Sequence, residues 1–147
     1  MLEIRLPSGL TGIIRKVKVK EENHLADRKL YRRGLVTDRI LGACWLETRD
    51  PGPYQFQTDR VDWGAVLQGD RSRALLLLSA FTYGPEYPFR VKCEECDDPI
   101  NWEINLLEDL EVREMSEEVR AAFVEGNKFK GELPDGTGFA FCMLIGR

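Results

Sequence analysis

From Tyr87 to Leu106 the apolar positions recur every second residue. Tyr87, Phe89, Val91 and Cys93 alternate with Pro88, Arg90 and Lys92, and Ile100, Trp102, Ile104 and Leu106 alternate with Asn101, Glu103 and Asn105. A period of two puts one set of side chains on one face of a pleated strand, so this stretch predicts a β-hairpin with Cys93-Glu94-Glu95-Cys96 at its tip. Two further hairpins are expected at the chain ends. "LEIRLPSGLTGIIRKVKV" places two extended segments around a Pro7-Ser8-Gly9 turn, with Ile13, Val17 and Val19 as β-branched candidates for burial. "KFKGELPDGTGFAFCMLIG" places two more around Pro134-Asp135-Gly136.

Between the first two hairpins the period lengthens. "EENHLADRKLYRRG" opens with acids, closes with Arg32 and Arg33 and meets Gly34, the order that a helix dipole and a C-terminal cap favour. Leu25, Ala26 and Leu30 give it a narrow apolar stripe. Thr37 or Asp38 can cap a second helix running through "RILGACWLET", in which Ile40, Leu41, Cys44 and Trp45 share a face. "RDPGPYQFQTD" has neither period and predicts a long loop. "VDWGAVLQG" predicts a short helix capped by Asp62 and stopped at Gly69. Asp70 then caps "RSRALLLLSAFTYG", which is apolar on nearly every side and therefore the expected buried centre. "SEEVRAAFVEGN" adds a helix between Ser116 and Gly126. Strands, helices and strands again predict an α+β fold over residues 1–147 as a single domain. Three to five helices are expected, and the three hairpins are expected to pack around the buried helix "RALLLLSAF".

Length supports this, since 147 residues can bury a continuous core without staples. No run approaches the ~20 apolar residues of a membrane span, and the start lacks a signal-peptide layout. Cytoplasmic synthesis is expected, with the four cysteines as free thiols or ligands. The net charge of −4 hides two segregated regions. Residues 15–33 carry eight bases against three acids (+5), and residues 94–125 carry twelve acids against Arg113 and Arg120 (−10). These regions either lie opposite one another in the fold, or are simply solvated faces, or are the basis of head-to-tail association or of binding an oppositely charged partner. Nucleic acid is not expected as a partner, because acid accompanies the basic charge.

Candidate chemistry is sparse. Cys93 and Cys96 are half of a zinc signature; the sole histidine, His24, and the distant Cys44 and Cys142 would have to converge to complete it, unless neighbouring carboxylates did. Redox chemistry is disfavoured, because a turn and a strand follow the pair instead of a helix, and adjacent acids oppose thiolate formation. No phosphate loop occurs, no nucleophile–histidine–acid set is spelled out, and no catalytic residue is assigned. Tyr54 and Phe56 in the loop are candidates for a partner-binding surface. Trp63 is a third, although its size suits the core as well.

Several stretches, in order along nearly the whole chain, resemble the baseplate hub assembly chaperones of T-even-type contractile phages and their relatives in phage-like contractile injection clusters. They are "LPSGLTGIIR", "LADRKL", "ILGACW" followed by "DPGPY", "DWGAVLQGDRSRALLLLSAFTYGPEYPF" and "LPDGTGFAFCMLIG". The resemblance implies a non-enzymatic protein of the bacterial cytoplasm that binds hub or tail subunits during assembly, acting transiently or staying in the particle; no cofactor other than zinc is expected, and self-association stays open. It also implies cysteines near the central hairpin, which keeps an alternative open: a small zinc-binding adaptor that uses the Cys93–Cys96 hairpin for protein recognition.

Overall fold

The computed structural model describes residues 1–24 and 27–146. Leu25 and Ala26, two of the stripe residues expected in the first helix, lie outside the described residues. The fold is α+β, with five helical segments and seven strands among the described residues.

Strands β1 (Leu2–Arg5) and β2 (Thr11–Ile14) form the expected N-terminal hairpin, with Leu2 opposite Ile14 and Ile4 opposite Gly12. Its turn depends on Gly9, whose φ of +100° few other residues tolerate; the Gly9 amide donates to Leu6 O at 2.8 Å. The buried positions are Ile4, Leu6, Leu10 and Ile14. Ile13 and Val17 are only half-buried and Val19 is exposed, one register step away from the expected burial.

The single helix expected next is two short ones. Helix α1 (Val19–Glu22) is closed by Glu21, whose carboxylate accepts from Lys18 N at 2.9 Å. Helix α2 (Arg28–Arg32) starts afresh because Asp27 caps it, accepting from Lys29 N at 2.8 Å and Leu30 N at 3.3 Å, and Gly34 at φ +67° follows its end.

Buried Glu21 also receives two hydrogen bonds from Arg15, at 3.0 and 3.2 Å. The Arg15 guanidinium holds its carboxyl at about 2, below the ordinary 4.5. A depressed native pKa stabilises the fold above about 4.5 and loses that contribution as pH falls toward about 2. Glu21→Gln is therefore expected to lower the urea midpoint at pH 7 and to flatten its dependence on pH between those values, as measured by urea melts across that range.

Helix α3 (Val36–Cys44) buries Ile40, Leu41 and Cys44 as expected, but "WLET" does not continue it. Strand β3 (Trp45–Asp50) begins at once and pairs with β2, Ile14 opposite Trp45 and Gly12 opposite Thr48. Trp45 falls four residues after Leu41 and so mimics a helical stripe; long-range pairing with β2 wins over that local signal. The Trp45 ring crosses Gly12, where an added Cβ would lie 2.1 Å from it and 2.5 Å from Glu47 O. Because a backbone oxygen cannot step aside, Gly12→Ala is expected to cost ~1–3 kcal/mol in chemical denaturation.

Of the loop expected over residues 49–59, Arg49 and Asp50 belong to β3 and residues 51–59 form the loop, while residues 62–67 make turns, not the expected short helix. Asp62 accepts from Gly64 N at 3.1 Å, and Gly69 sits inside the following helix instead of ending one. Helix α4 (Gln68–Tyr83) buries Ala74, Leu78 and Ala80 and stops at Gly84, φ +110°. Asp70 is not its cap; it lies in the first turn with its side chain buried. The buried apolar side chains of β1, β2, α3, α4 and the intervening loop form one cluster, joined by Phe123 of α5 (Glu117–Val124) and by Met143 and Ile145 near the chain end. Ile145 pairs with Leu67, and Gly146 N donates to Val66 O at 3.1 Å, drawing the last residues back onto the core. Two hairpins complete the fold, β4 (Glu86–Lys92) with β5 (Pro99–Asn105), and β6 (Phe129–Glu132) with β7 (Gly138–Phe141). The expectation that they pack around α4 is not met, because their apolar faces are largely open to solvent.

Candidate protein-interaction surfaces

In the β4–β5 ribbon the register sets Tyr87 opposite Ile104, Phe89 opposite Trp102 and Val91 opposite Ile100. Directly opposed residues spaced by two share a face, so six apolar side chains form one continuous stripe. Tyr87 and Phe89 stack obliquely, their ring centroids 6.2 Å apart. The other face is polar, with Arg90 donating to Asn101 Oδ1 at 3.0 Å and Pro88 opposite Glu103. A ribbon with this pattern normally lays its apolar side on a core. Here Trp102 is 57% and Tyr87 53% exposed, Val91 and Ile100 are exposed too, and only Phe89 and Ile104 are half-buried. The base of the hairpin is fixed: Leu106 is buried, its amide donates to Pro85 O at 2.9 Å, and its carbonyl accepts from Arg73 of α4 at 3.3 Å. A rigid root thus carries an uncovered apolar blade.

A smaller patch lies on the β6–β7 hairpin. Phe129 stacks on Phe141 at 5.3 Å, and Phe139 lies across Gly131 and stacks on Phe141 at 5.8 Å. Phe139 and Phe141 are exposed. Asn127, at φ +55°, holds the segment after β7 by a reciprocal pair of 2.9 Å bonds with Met143, so this patch too is tied at its base.

The aromatics proposed from sequence for the partner surface lie elsewhere. Tyr54 is 6% exposed, with its ring against Phe56 and Phe123, and its hydroxyl donates to Asp70 at 2.7 Å while accepting from Leu67 N at 3.2 Å. Trp63, 3% exposed, meets Trp45 edge-on at 5.3 Å. Phe56 is half-buried against the core. Correcting the expectation, Tyr54 and Trp63 are core side chains, because the loop folds inward to place the Tyr54 hydroxyl on Asp70. Burial and the nearby Asp70 charge raise the Tyr54 phenol well above its ordinary value.

Asp70 is the hub that sequence reasoning missed. It accepts from Ser8 N at 3.1 Å, from the Ser8 hydroxyl and from Tyr54, tying the first turn and the loop to the start of α4. The next residue, Arg71, is also buried and pairs with Asp38 of α3. A buried acid beside an apolar helix reads in sequence as a cap; only an accounting of possible partners separates the two readings.

At the tip of the blade, Cys93 N donates to Asp98 O at 2.9 Å and Asp97 N to Cys93 O at 3.0 Å, with Asp97 left-handed at φ +58°. The amides of Glu95 and Cys96, and the Cys96 thiol, point at the Cys93 sulfur and hold its pKa below the usual thiol value. Cys93 and Cys96 are both free, Cys44 is buried in α3, and Cys142 is exposed just past β7. Among the described residues no three His, Cys, Asp or Glu side chains converge to hold a metal. His24 instead lines an open cavity of about 570 Å³ with Asp38, Arg39, Trp45, Asp59 and Trp63.

The two charged segments do not neutralise each other. The basic one pairs internally through Arg15 and Lys20 with Glu21; the acidic one pairs internally and with Arg5 of β1. No ion pair among the described residues joins them, and no described helix is long and apolar enough to cross a membrane. No protein-family model, curated protein or solved structure matches the chain. The functional reading accordingly rests on these surfaces.

Proposed function

We propose that this chain is a non-enzymatic assembly chaperone or structural component that binds hub or tail subunits while a contractile phage tail, or a phage-like injection particle, is built in the bacterial cytoplasm. The observation that carries the reading is the uncovered apolar face of the β4–β5 blade. A two-stranded hairpin alone is marginal in water, and contiguous exposed apolar surface on a folded chain marks a site that another chain covers. The Phe139–Phe141 patch gives a second contact, and the unneutralised charged segments give a field that orients a partner on approach. Trp102 at the centre of the stripe and Tyr87 at its root end are residue types that dominate interface energetics.

The test is co-expression with the neighbouring tail and baseplate subunits, followed by pull-down and by deletion of the gene. A stable complex with one such subunit, and defective tails without the chain, are expected. No complex with any of them, together with tails that form normally in its absence, would sink the reading.

A further inference from the structure

We propose that the cavity beside α3 binds a small organic anion, a single carboxylate or phosphate group carried on a flat apolar body. Its walls come from α3, from the start of β3 and from residues 59–63, and its volume of about 570 Å³ suits such a ligand. Charge selects the anion. Arg39 and Arg60 both line the cavity, and among the described residues neither guanidinium has a hydrogen-bond or ion-pair partner. Asp38 is already paired with Arg71 of α4, so Asp59 alone among the described lining acids is left to set against the two arginines. A guanidinium presents a planar fork of donors that fits carboxylate and phosphate oxygens.

Trp63 gives a second, independent reason. It lines the cavity and is 3% exposed, yet its indole N–H has no acceptor among the described residues. A buried donor left unmet is costly, and in a folded chain such a group calls for a partner from outside it. Gly42 of α3 leaves room for one, because a Cβ built there meets nothing closer than Trp63 Cδ1 at 3.8 Å and Nε1 at 4.0 Å. An oxygen that enters at this gap accepts from the indole while the arginines hold its charge. Trp45 meets Trp63 at 79° with ring centroids 5.3 Å apart, and its own N–H donates to Thr48 Oγ1 at 3.0 Å, so the two indoles make a fixed corner for the apolar body. The site shares no residue with the β4–β5 blade or the β6–β7 patch, and binding of hub or tail subunits does not enter into this inference.

Titration of the isotope-labelled full chain with naphthoate, and separately with naphthyl phosphate, tests it by following the assigned indole N–H signals in NMR spectra. Expected is saturation at one ligand per chain, with the Trp63 indole signal moving downfield and that of Trp102 unmoved. The tighter of the two anions names the group that the site takes. Naphthalene methanol, the neutral counterpart, binds at least about tenfold more weakly, as the loss of a charge-assisted contact predicts. Gly42→Leu fills the gap at an exposed helical position where leucine favours the helix, so it abolishes binding while the melting temperature holds or rises. Arg39→Gln and Arg60→Gln, both at exposed positions, each weaken the anions by about tenfold. No saturable shift with either anion, shifts confined to Trp102, equal affinity for the neutral counterpart, or wild-type affinity in Gly42→Leu overturns the proposal.

Discussion

Trp102→Asp is expected to weaken binding of the chain to its hub or tail partner by about 30-fold or more, the ~2 kcal/mol of an interface hot spot, while lowering the stability of the isolated chain by no more than ~1 kcal/mol. The separation follows from where Trp102 sits. It is 57% exposed, it faces Phe89 across the ribbon, and neither residue belongs to the core cluster. Its contribution to the free fold is one cross-strand pair, worth ~0.2–1 kcal/mol. In a complex it would be the largest side chain of the stripe, and an aspartate there would put an unpaired charge into an apolar contact. Titration calorimetry with the purified partner and a urea melt of the variant give the two numbers. A variant that binds unchanged would move the interface off this blade.

The opposite pattern is expected at Asp70. Asp70→Ala removes the acceptor of three hydrogen bonds from Ser8 and Tyr54 and leaves those donors buried, at a cost of ~3–5 kcal/mol, or a fall in melting temperature on the order of 10 °C. Against a typical total of ~5–15 kcal/mol this is a large fraction of the stability. Tyr54→Phe is expected to cost ~1–3 kcal/mol, because the Leu67 amide loses its acceptor as well. The Tyr54→Phe and Asp70→Ala double variant should cost less than the sum of the two, the signature of groups acting in one network. Additive losses in a thermal or urea melt would show that Asp70 is held by something other than this network.

These two residues also show where the sequence is legible and where it is not. The central alternation from Tyr87 to Leu106 predicts the β4–β5 hairpin and the face its apolar side chains share, because a period of two depends only on the strand itself. It cannot say whether another layer covers the apolar side, and the expectation of burial followed from treating every apolar face as core. A further signal was available: beyond Leu106 the only helical pattern is "SEEVRAAFVEGN", short and rich in acid, which offers little with which to cover such a blade. At Trp45 the failure is of another kind. Its spacing from Leu41 is helical, and the chain turns into a strand there because β2 lies alongside and Gly12 leaves room for the indole. Asp27 split a predicted helix by doing what an aspartate does well, capping the second half. Tyr54, in a loop without periodicity, reads as a surface residue because its partner, Asp70, is sixteen positions away and itself reads as a cap.

Hydrogen exchange of the chain alone and in complex with a hub or tail subunit tests the central claim most directly. Slowed exchange across residues 86–105 on binding, with weaker protection at 129–141, is the expected result. Unchanged exchange throughout the blade, with protection confined to other parts of the fold, would contradict it.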